Sequence, residues 1–478
     1  MAFHIPRSFL NDTHVSLIKK LLKIEPTTKY VPNLSFGCQN NLVTDPVIMY
    51  RVVESKDDNT PDIIQLPYSF ARALLKIPIP NYHPPASYEF TKKLYPSQVQ
   101  VADDAITHLK QYGTTTLNLY TGFGKTVLGA YLGAWSKKIT LVLYTNTILQ
   151  PQWLSTFKNF TNARIWVIGE DKEPPKLGPH VILCMSTRVR KIHPNYLKHI
   201  GTVVYDEADT FCTPGRLDCL LGITPKYAIA ATATLERDDG MENMITAVCG
   251  THTIKKISKK PFIVYKWMTG VIIHQVKNVR GVTDWNKVTL DQSRSRERNL
   301  QILSLIRSNM ERKILVLTRR KDDHAIPLAK WFSQMGLNVD YMAGTKKNYS
   351  DSHVLVGTFS KIGRGFDEKA ACDNYSGIRI DLLILVGSVK SVKLLEQLAG
   401  RAFRSEFPQI IHFVDECSIS KSHWRVASPW YKSRNGQIID VYSNYYHQNL
   451  HMIQNEDTTK QSQLSIVQQQ IANRFKRQ

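Results

Sequence analysis

Gly122, Gly124, Lys125 and Thr126 have the residue types and spacing that hold a phosphate chain; they lie in the stretch LYTGFGKT at 119–126. Glycines let successive backbone N–H groups curl around phosphate oxygens. A lysine neutralises the outer phosphates, and a hydroxyl at a helix N-terminus can ligate Mg2+ where the helix dipole favours anions. The strict phosphate-loop pattern, G-x-x-x-x-G-K-[ST], asks for glycine at 119, where this chain has Leu119. The context still fits: the apolar run TLNLY precedes the loop and the helical pattern VLGAYLGAW follows it.

The second element of the same chemistry lies about 80 residues on, where TVVYDEAD closes an apolar run with Asp206 and Glu207. A carboxylate at a strand end can hold Mg2+ through water, and its neighbour can take a proton from an attacking water. Alone, such a pair reads as a solvated acidic loop. Paired with the loop at 122–126, it reads as half of an ATP-hydrolysing site.

The elements around these residues repeat one rhythm. Short apolar runs (TTTLNLY, ITLVLYT, HVILCMS, TVVYDEAD, YAIAATAT) alternate with amphipathic helical patterns, which predicts a buried parallel sheet. After a polar stretch at about 268–300, a second series follows with KILVLTRR, VDYMAG, HVLVGTFS, DLLILVGS and QIIHFVDE. Residues 1–88 read as a small α+β accessory domain, with a Pro-rich linker at its end. Two α/β domains, 89–265 and 266–445, come next, and a Gln-rich tail occupies 446–478.

The 478 residues exceed one compact core, and 62 Lys+Arg against 40 Asp+Glu leave a net charge of +22. Such an excess points to a polyanion, nucleic acid first. Seven scattered cysteines without a C-x-x-C pair argue against a zinc knuckle, an iron–sulfur cluster or a disulfide framework. They suggest an intracellular, reducing setting, with cytoplasm, nucleus and packaging in a virion all left open. No apolar run reaches the roughly 18 residues of a membrane span, and the first residues carry no signal-peptide pattern.

Taken in order, these motifs resemble those of the superfamily 2 helicases over about residues 93–430. The resemblance implies two tandem RecA-like parallel-sheet domains, ATP and Mg2+ as ligands, and nucleic acid as partner. In LYPSQ it implies Gln98 as the residue that reads adenine. Thr121, Gly122, Phe123, Gly124, Lys125 and Thr126 become the phosphate cradle, in a family whose first motif begins Ala-x-Thr-Gly rather than with glycine. Thr126 and Asp206 would hold Mg2+, and Glu207 would activate water.

LVLYTNTILQPQW and CMSTRVRK resemble the family's strand-contact segments, implicating Thr145, Gln152, Trp153, Ser186 and Thr187. ATATLERDDG resembles the motif that couples hydrolysis to domain motion, through Thr232 and Thr234. Its Arg237, Asp238 and Asp239 match the Arg-Glu-Asp element of DNA-directed members, with Asp in place of Glu. VGTFSKIGRGFD is similar to the fifth motif, with Thr358 in the coupling role and Gly365 and Asp367 at the nucleotide. EQLAGRAFR fits the sixth, with Gln397, Gly400, Arg401 and Arg404. The two arginines, three residues apart on one expected helix face, could reach a γ-phosphate as fingers.

The letters D-E-A-D at 206–209 resemble the RNA helicases of that name. Those members usually read P-T-R-E-L in the strand-contact motif and carry histidine where this chain has Gln397. The closer resemblance is to the DNA-dependent branch, including the transcript-release helicases of large cytoplasmic DNA viruses. The segment from His423 is similar to the one that closes the second core domain there. The expectation is an ATP-dependent helicase or translocase acting on DNA, in transcription or repair. An RNA helicase, the motor subunit of a nuclease or modification complex, and a non-catalytic module are the alternatives. The nuclease reading lacks a carboxylate–lysine cluster in residues 1–90 or 446–478, and retention of Lys125, Glu207 and both arginines opposes the non-catalytic one.

Overall fold

A computed structural model describes residues 2–26, 45–55, 61–237, 239–277, 281, 283–363 and 366–443. Asp238, Gly365 and the Gln-rich tail lie outside the described residues. The chain divides into two compact units, Met1–Ser258 and Lys259–Gln478.

The first unit is built on a seven-stranded parallel sheet. Its spatial order is Thr253–Lys256, Thr114–Leu119, Tyr227–Thr232, Ile200–Asp206, Ile139–Tyr144, Val181–Met185 and Ile165–Val167. Every residue of Ile200–Asp206 and Tyr227–Thr232 is buried, as continuous apolar strands covered on both faces should be. Register places Asp206 beside Ala231, and Thr232 beside Asn118. The strands are parallel, so their C-terminal ends share one edge, and the turns following them gather there.

The described residues between 2 and 88 share a core with this sheet. Phe3, Leu66 and Tyr68 belong to one buried cluster with Leu141, Tyr205 and Val248. Tyr68 donates its hydroxyl to Lys226 O at 2.9 Å, and the Thr224 hydroxyl donates to Ala2 O at 2.5 Å. A small antiparallel sheet in the order Ala2–Pro6, Ile63–Pro67, Arg51–Val53 completes this part.

The second unit repeats the plan, again with seven parallel strands. Their order is Val339–Met342, Val354–Thr358, Ile314–Thr318, Leu382–Leu385, Gln409–Glu416, Phe262–Ile272 and Gly436–Tyr442. Two of these correct the sequence reading. Phe262–Ile272 belongs wholly to this sheet, so the passage between the units falls before it, at 258/259, rather than at 265/266. Among the described residues, Gly436–Tyr442 forms the far edge and pairs only with Phe262–Ile272. The six described cysteines are buried thiols.

Candidate active site

Strand Thr114–Leu119 delivers the chain to the phosphate loop, and Leu119 is wholly buried in the core. Position 119 is thus strand, and the loop proper begins after it. Gly122 and Gly124 take φ of 95° and 99°, a region L-residues rarely enter. Gly124 caps helix Lys125–Ser136 in the left-handed conformation. A Cβ on Gly124 would lie 2.3 Å from Gln98 Nε2, so this glycine is needed for space as well as for φ.

Gln98 is buried beneath the loop. Its Nε2 donates to Phe123 O at 2.9 Å, and its Oε1 accepts from Tyr95 N–H at 3.0 Å. It braces the loop, leaving one amide hydrogen and one Oε1 lone pair for any contact with adenine. Lys125 Nζ donates to Leu119 O at 2.8 Å and to Tyr120 O at 3.4 Å, tying the ammonium to the start of the loop.

Asp206 is the last residue of its strand and is 5% exposed. Burial, and then the neighbouring Glu207 carboxylate, push its pKa up to about 6 against the pull of the Trp153 N–H, Lys125 and the Glu207 N–H. A desolvated carboxylate held in this way favours a nearby cation. Thr126 is buried at the start of the helix after the loop and supplies a hydroxyl. Hydroxyl plus carboxylate is a hard oxygen donor set of the kind Mg2+ takes alongside phosphate oxygens and water, so the residues present fit that ion. Glu207 follows in a left-handed turn, φ 52° and ψ 54°, which carries it off the strand direction.

The expected strand-contact residues divide into two groups. Thr187 is exposed and Thr145 half-buried, so both are available to a polymer. Ser186 is buried and accepts from Arg216 Nη1. Gln152 donates to Thr126 Oγ1 at 3.1 Å. Trp153 is fully buried and donates its indole N–H to Asp206 Oδ2 at 2.7 Å. A strand contact by Trp153 is therefore ruled out: its ring lies in the core and its one donor is committed to a carboxylate.

Behind the acidic pair, the third motif is bonded to the second. Thr232 Oγ1 donates to Asp209 Oδ1 at 2.7 Å, while Thr234 N–H donates back to Thr232 Oγ1 at 3.1 Å. Arg237 forks onto Asp239 at 2.8 and 2.6 Å and donates to Asp209 O at 2.6 Å. Asp209 is the common partner, and the sequence reading gave it no role. It is buried, and the only sign of it in the sequence is its place as the last residue of the D-E-A-D run. Thr210 was also missed. It accepts from Thr145 Oγ1 at 2.9 Å and donates to Glu207 O at 2.6 Å.

In the second unit, helix Val392–Ala402 carries Gln397, Gly400 and Arg401, all buried. Arg401 donates to Phe366 O at 2.6 Å and Gly363 O at 3.3 Å. Arg404 lies in the turn beyond the helix, which corrects the expected shared helix face, and pairs with Asp367 at 3.0 Å. Both arginines clasp the fifth motif. Burial raises the pKa of Asp367, but Arg404, the Ala370 N–H and Arg379 outweigh it and hold the carboxylate below its usual range. Thr358 is buried at the end of its strand, 3.4 Å from Ser360 Oγ. His423, half-buried on helix Ser418–Ser433, bonds Ser388 Oγ at 2.9 Å.

The DEAD/DEAH box helicase family model matches residues 98–241, the stretch that holds this site. Candidate helicase 161L of Invertebrate iridescent virus 6 is 26% identical over 434 residues, covering 84% of this chain and 93% of that protein. The chain carries a DEAD/DEAH box helicase domain and is similar over most of its length to a viral helicase. It is an ATP-dependent enzyme that acts on nucleic acid. Transcript termination protein A18 of Yaba monkey tumor virus is 25% identical over 346 residues, covering 65% of this helicase and 70% of that protein. Among solved structures, S. cerevisiae Dbp5 bound to RNA and ADP BeF3 matches with a TM-score of 0.50 at 14% identity, over 74% of this chain and 93% of that one, a likeness of fold. Among the described residues, no helix is long and apolar enough to cross a membrane.

Proposed function

We propose that this helicase tracks along DNA and serves transcription, using ATP hydrolysis to release transcripts. Lys125 and the loop N–H groups hold the phosphates. Thr126 and Asp206 would hold Mg2+, which would offset phosphate charge. Glu207 orients water and takes its proton. Arg401 and Arg404 stabilise charge on the transferred phosphoryl group, which requires Arg404 to leave Asp367 during the cycle. Thr187 contacts backbone phosphates, and Thr145 does so by turning its one hydroxyl hydrogen from Thr210 to the phosphate, so binding is sequence-tolerant and weakens with salt.

The observation that carries this reading is the bonded path Thr145–Thr210–Glu207. Thr210 spends its one hydroxyl hydrogen on Glu207 O, so Thr145 must be the donor to Thr210. Engagement of a strand at Thr145 thereby bears on the residue that activates water, as nucleic-acid-stimulated hydrolysis demands. The choice of DNA is supported by Gln397 at the histidine position of RNA-directed members and by the paired Arg237 and Asp239. The role in transcription is supported by the likeness to transcript termination protein A18.

The test is ATPase stimulation by single- and double-stranded DNA and RNA, with strand displacement on tailed duplexes of each polarity. DNA stimulation several-fold above that of RNA is expected. Stimulation by RNA alone would overturn the proposal.

A further inference from the structure

We infer that Gln152 and Trp153 are positioning residues for the magnesium ligands, linking the strand-contact segment to the metal. This rests on the reading that Thr126 and Asp206 hold Mg2+. The two residues are consecutive on helix Leu149–Phe160 and reach two different elements. Gln152 Nε2 donates to Thr126 Oγ1 at 3.1 Å, at the start of the helix after the phosphate loop. Trp153 Nε1 donates to Asp206 Oδ2 at 2.7 Å, at the end of the adjoining strand. Each bond fixes one oxygen in orientation while using only one of its lone pairs. The other Asp206 oxygen accepts from Glu207 N–H at 3.1 Å, so the carboxylate is held at both ends.

The indole is wedged into place. It stacks on Phe157 with centroids 5.9 Å apart, and it crosses the phosphate-loop helix at Gly129, where a Cβ would lie 2.6 Å from the ring. Glycine inside a helix costs about 0.5–1 kcal/mol relative to alanine. Here it admits the ring that reaches Asp206. Helix Leu149–Phe160 begins just after the loop carrying Thr145. A strand bound at that loop therefore leans on the helix whose next turn holds both metal ligands. Partners of this kind typically govern metal affinity or activity by 10–100-fold.

The experiment measures binding of a fluorescent, non-hydrolysable ATP analogue to the full chain, first in EDTA and then through a Mg2+ titration. Trp153→Phe and Gln152→Ala should leave the EDTA affinity within about twofold and raise the Mg2+ midpoint for tightened binding about tenfold. Asp206→Asn is the control and should abolish the Mg2+-dependent gain. If Asp206→Asn leaves the titration unchanged, the metal reading itself fails. If Asp206→Asn abolishes the gain but the other two variants titrate like wild type, only the positioning role fails. Gln152 is half-buried, so Gln152→Ala carries the test if Trp153→Phe does not melt cooperatively.

Discussion

Replacing Thr210 with valine keeps the shape of the side chain and removes only its hydroxyl. Two hydrogen bonds go with it, to Glu207 O at 2.6 Å and from Thr145 at 2.9 Å. Glu207 sits at φ 52°, a left-handed conformation that costs an ordinary residue roughly 1–2 kcal/mol. Each lost bond is worth about 1 kcal/mol net, so Thr210 supplies a restraint of the same size as the strain it opposes. Releasing that restraint lets the turn relax and lowers the fraction of enzyme with the Glu207 carboxylate in register with water. About 1.4–2 kcal/mol of lost positioning corresponds to a fall of roughly 10–30-fold in stimulated kcat. The assay is steady-state ATP hydrolysis with and without saturating single-stranded DNA, beside a melting curve. Thr145→Val breaks only the outer bond and should weaken stimulation while sparing hydrolysis without DNA. A Thr210→Val enzyme whose stimulated kcat stays within twofold of wild type at an unchanged Tm would refute the relay.

Other outcomes follow from the same geometry. Lys125→Ala and Glu207→Gln should each abolish stimulated hydrolysis with no loss of fold by circular dichroism, and normal turnover in either would remove these residues from the site. Arg404→Ala should bind ATP normally but hydrolyse it about 1,000-fold more slowly, the scale of an arginine finger; loss of equilibrium nucleotide binding instead would argue against that role. His412 is 1% exposed, and burial, with His423 adding to it, lowers its pKa from 6.5 to about 3. The unfolded chain takes up that proton near pH 6.5 and the folded chain does not until about pH 3, so this contribution to stability is present above pH 6.5 and lost as the pH falls. Between pH 7 and 5 the wild type should lose about 2 kcal/mol more than His412→Phe in urea denaturation, and parallel losses would exclude His412 as the titrating group.

The strands that place the site were legible because a parallel sheet covered on both faces demands uninterrupted apolar runs, and TVVYDEAD and YAIAATAT are such runs. The same criterion missed Phe262–Ile272. That strand alternates buried and partly exposed residues and carries Lys266, Thr269 and Gly270, yet it is paired along both edges. Gly436–Tyr442 was missed for a related reason: it is an edge strand without a fully buried residue. Periodicity finds covered strands, whereas strands near a sheet's margin are fixed by pairing partners that only the fold supplies.

The site itself was legible at the level of motifs, and less so at the level of partners. Motif order marked the loop, the acidic pair and the arginines, because each carries its own local chemistry. It misassigned Trp153, since a motif marks a segment without saying which face of its helix is covered. The residues could have said so: Leu149, Trp153 and Phe157 recur every four positions and are all buried, an inward stripe with tryptophan at its centre. A tryptophan on such a stripe must satisfy its N–H inside the protein. The acceptor is Asp206, at the end of a strand 53 residues away in sequence. Thr232 and Arg237 likewise converge on Asp209 from another strand end. No spacing rule encodes these pairs; they arise because parallel strands end at a common edge. The bonds that couple one motif to another are therefore a property of the sheet, while the motifs are a property of the chain.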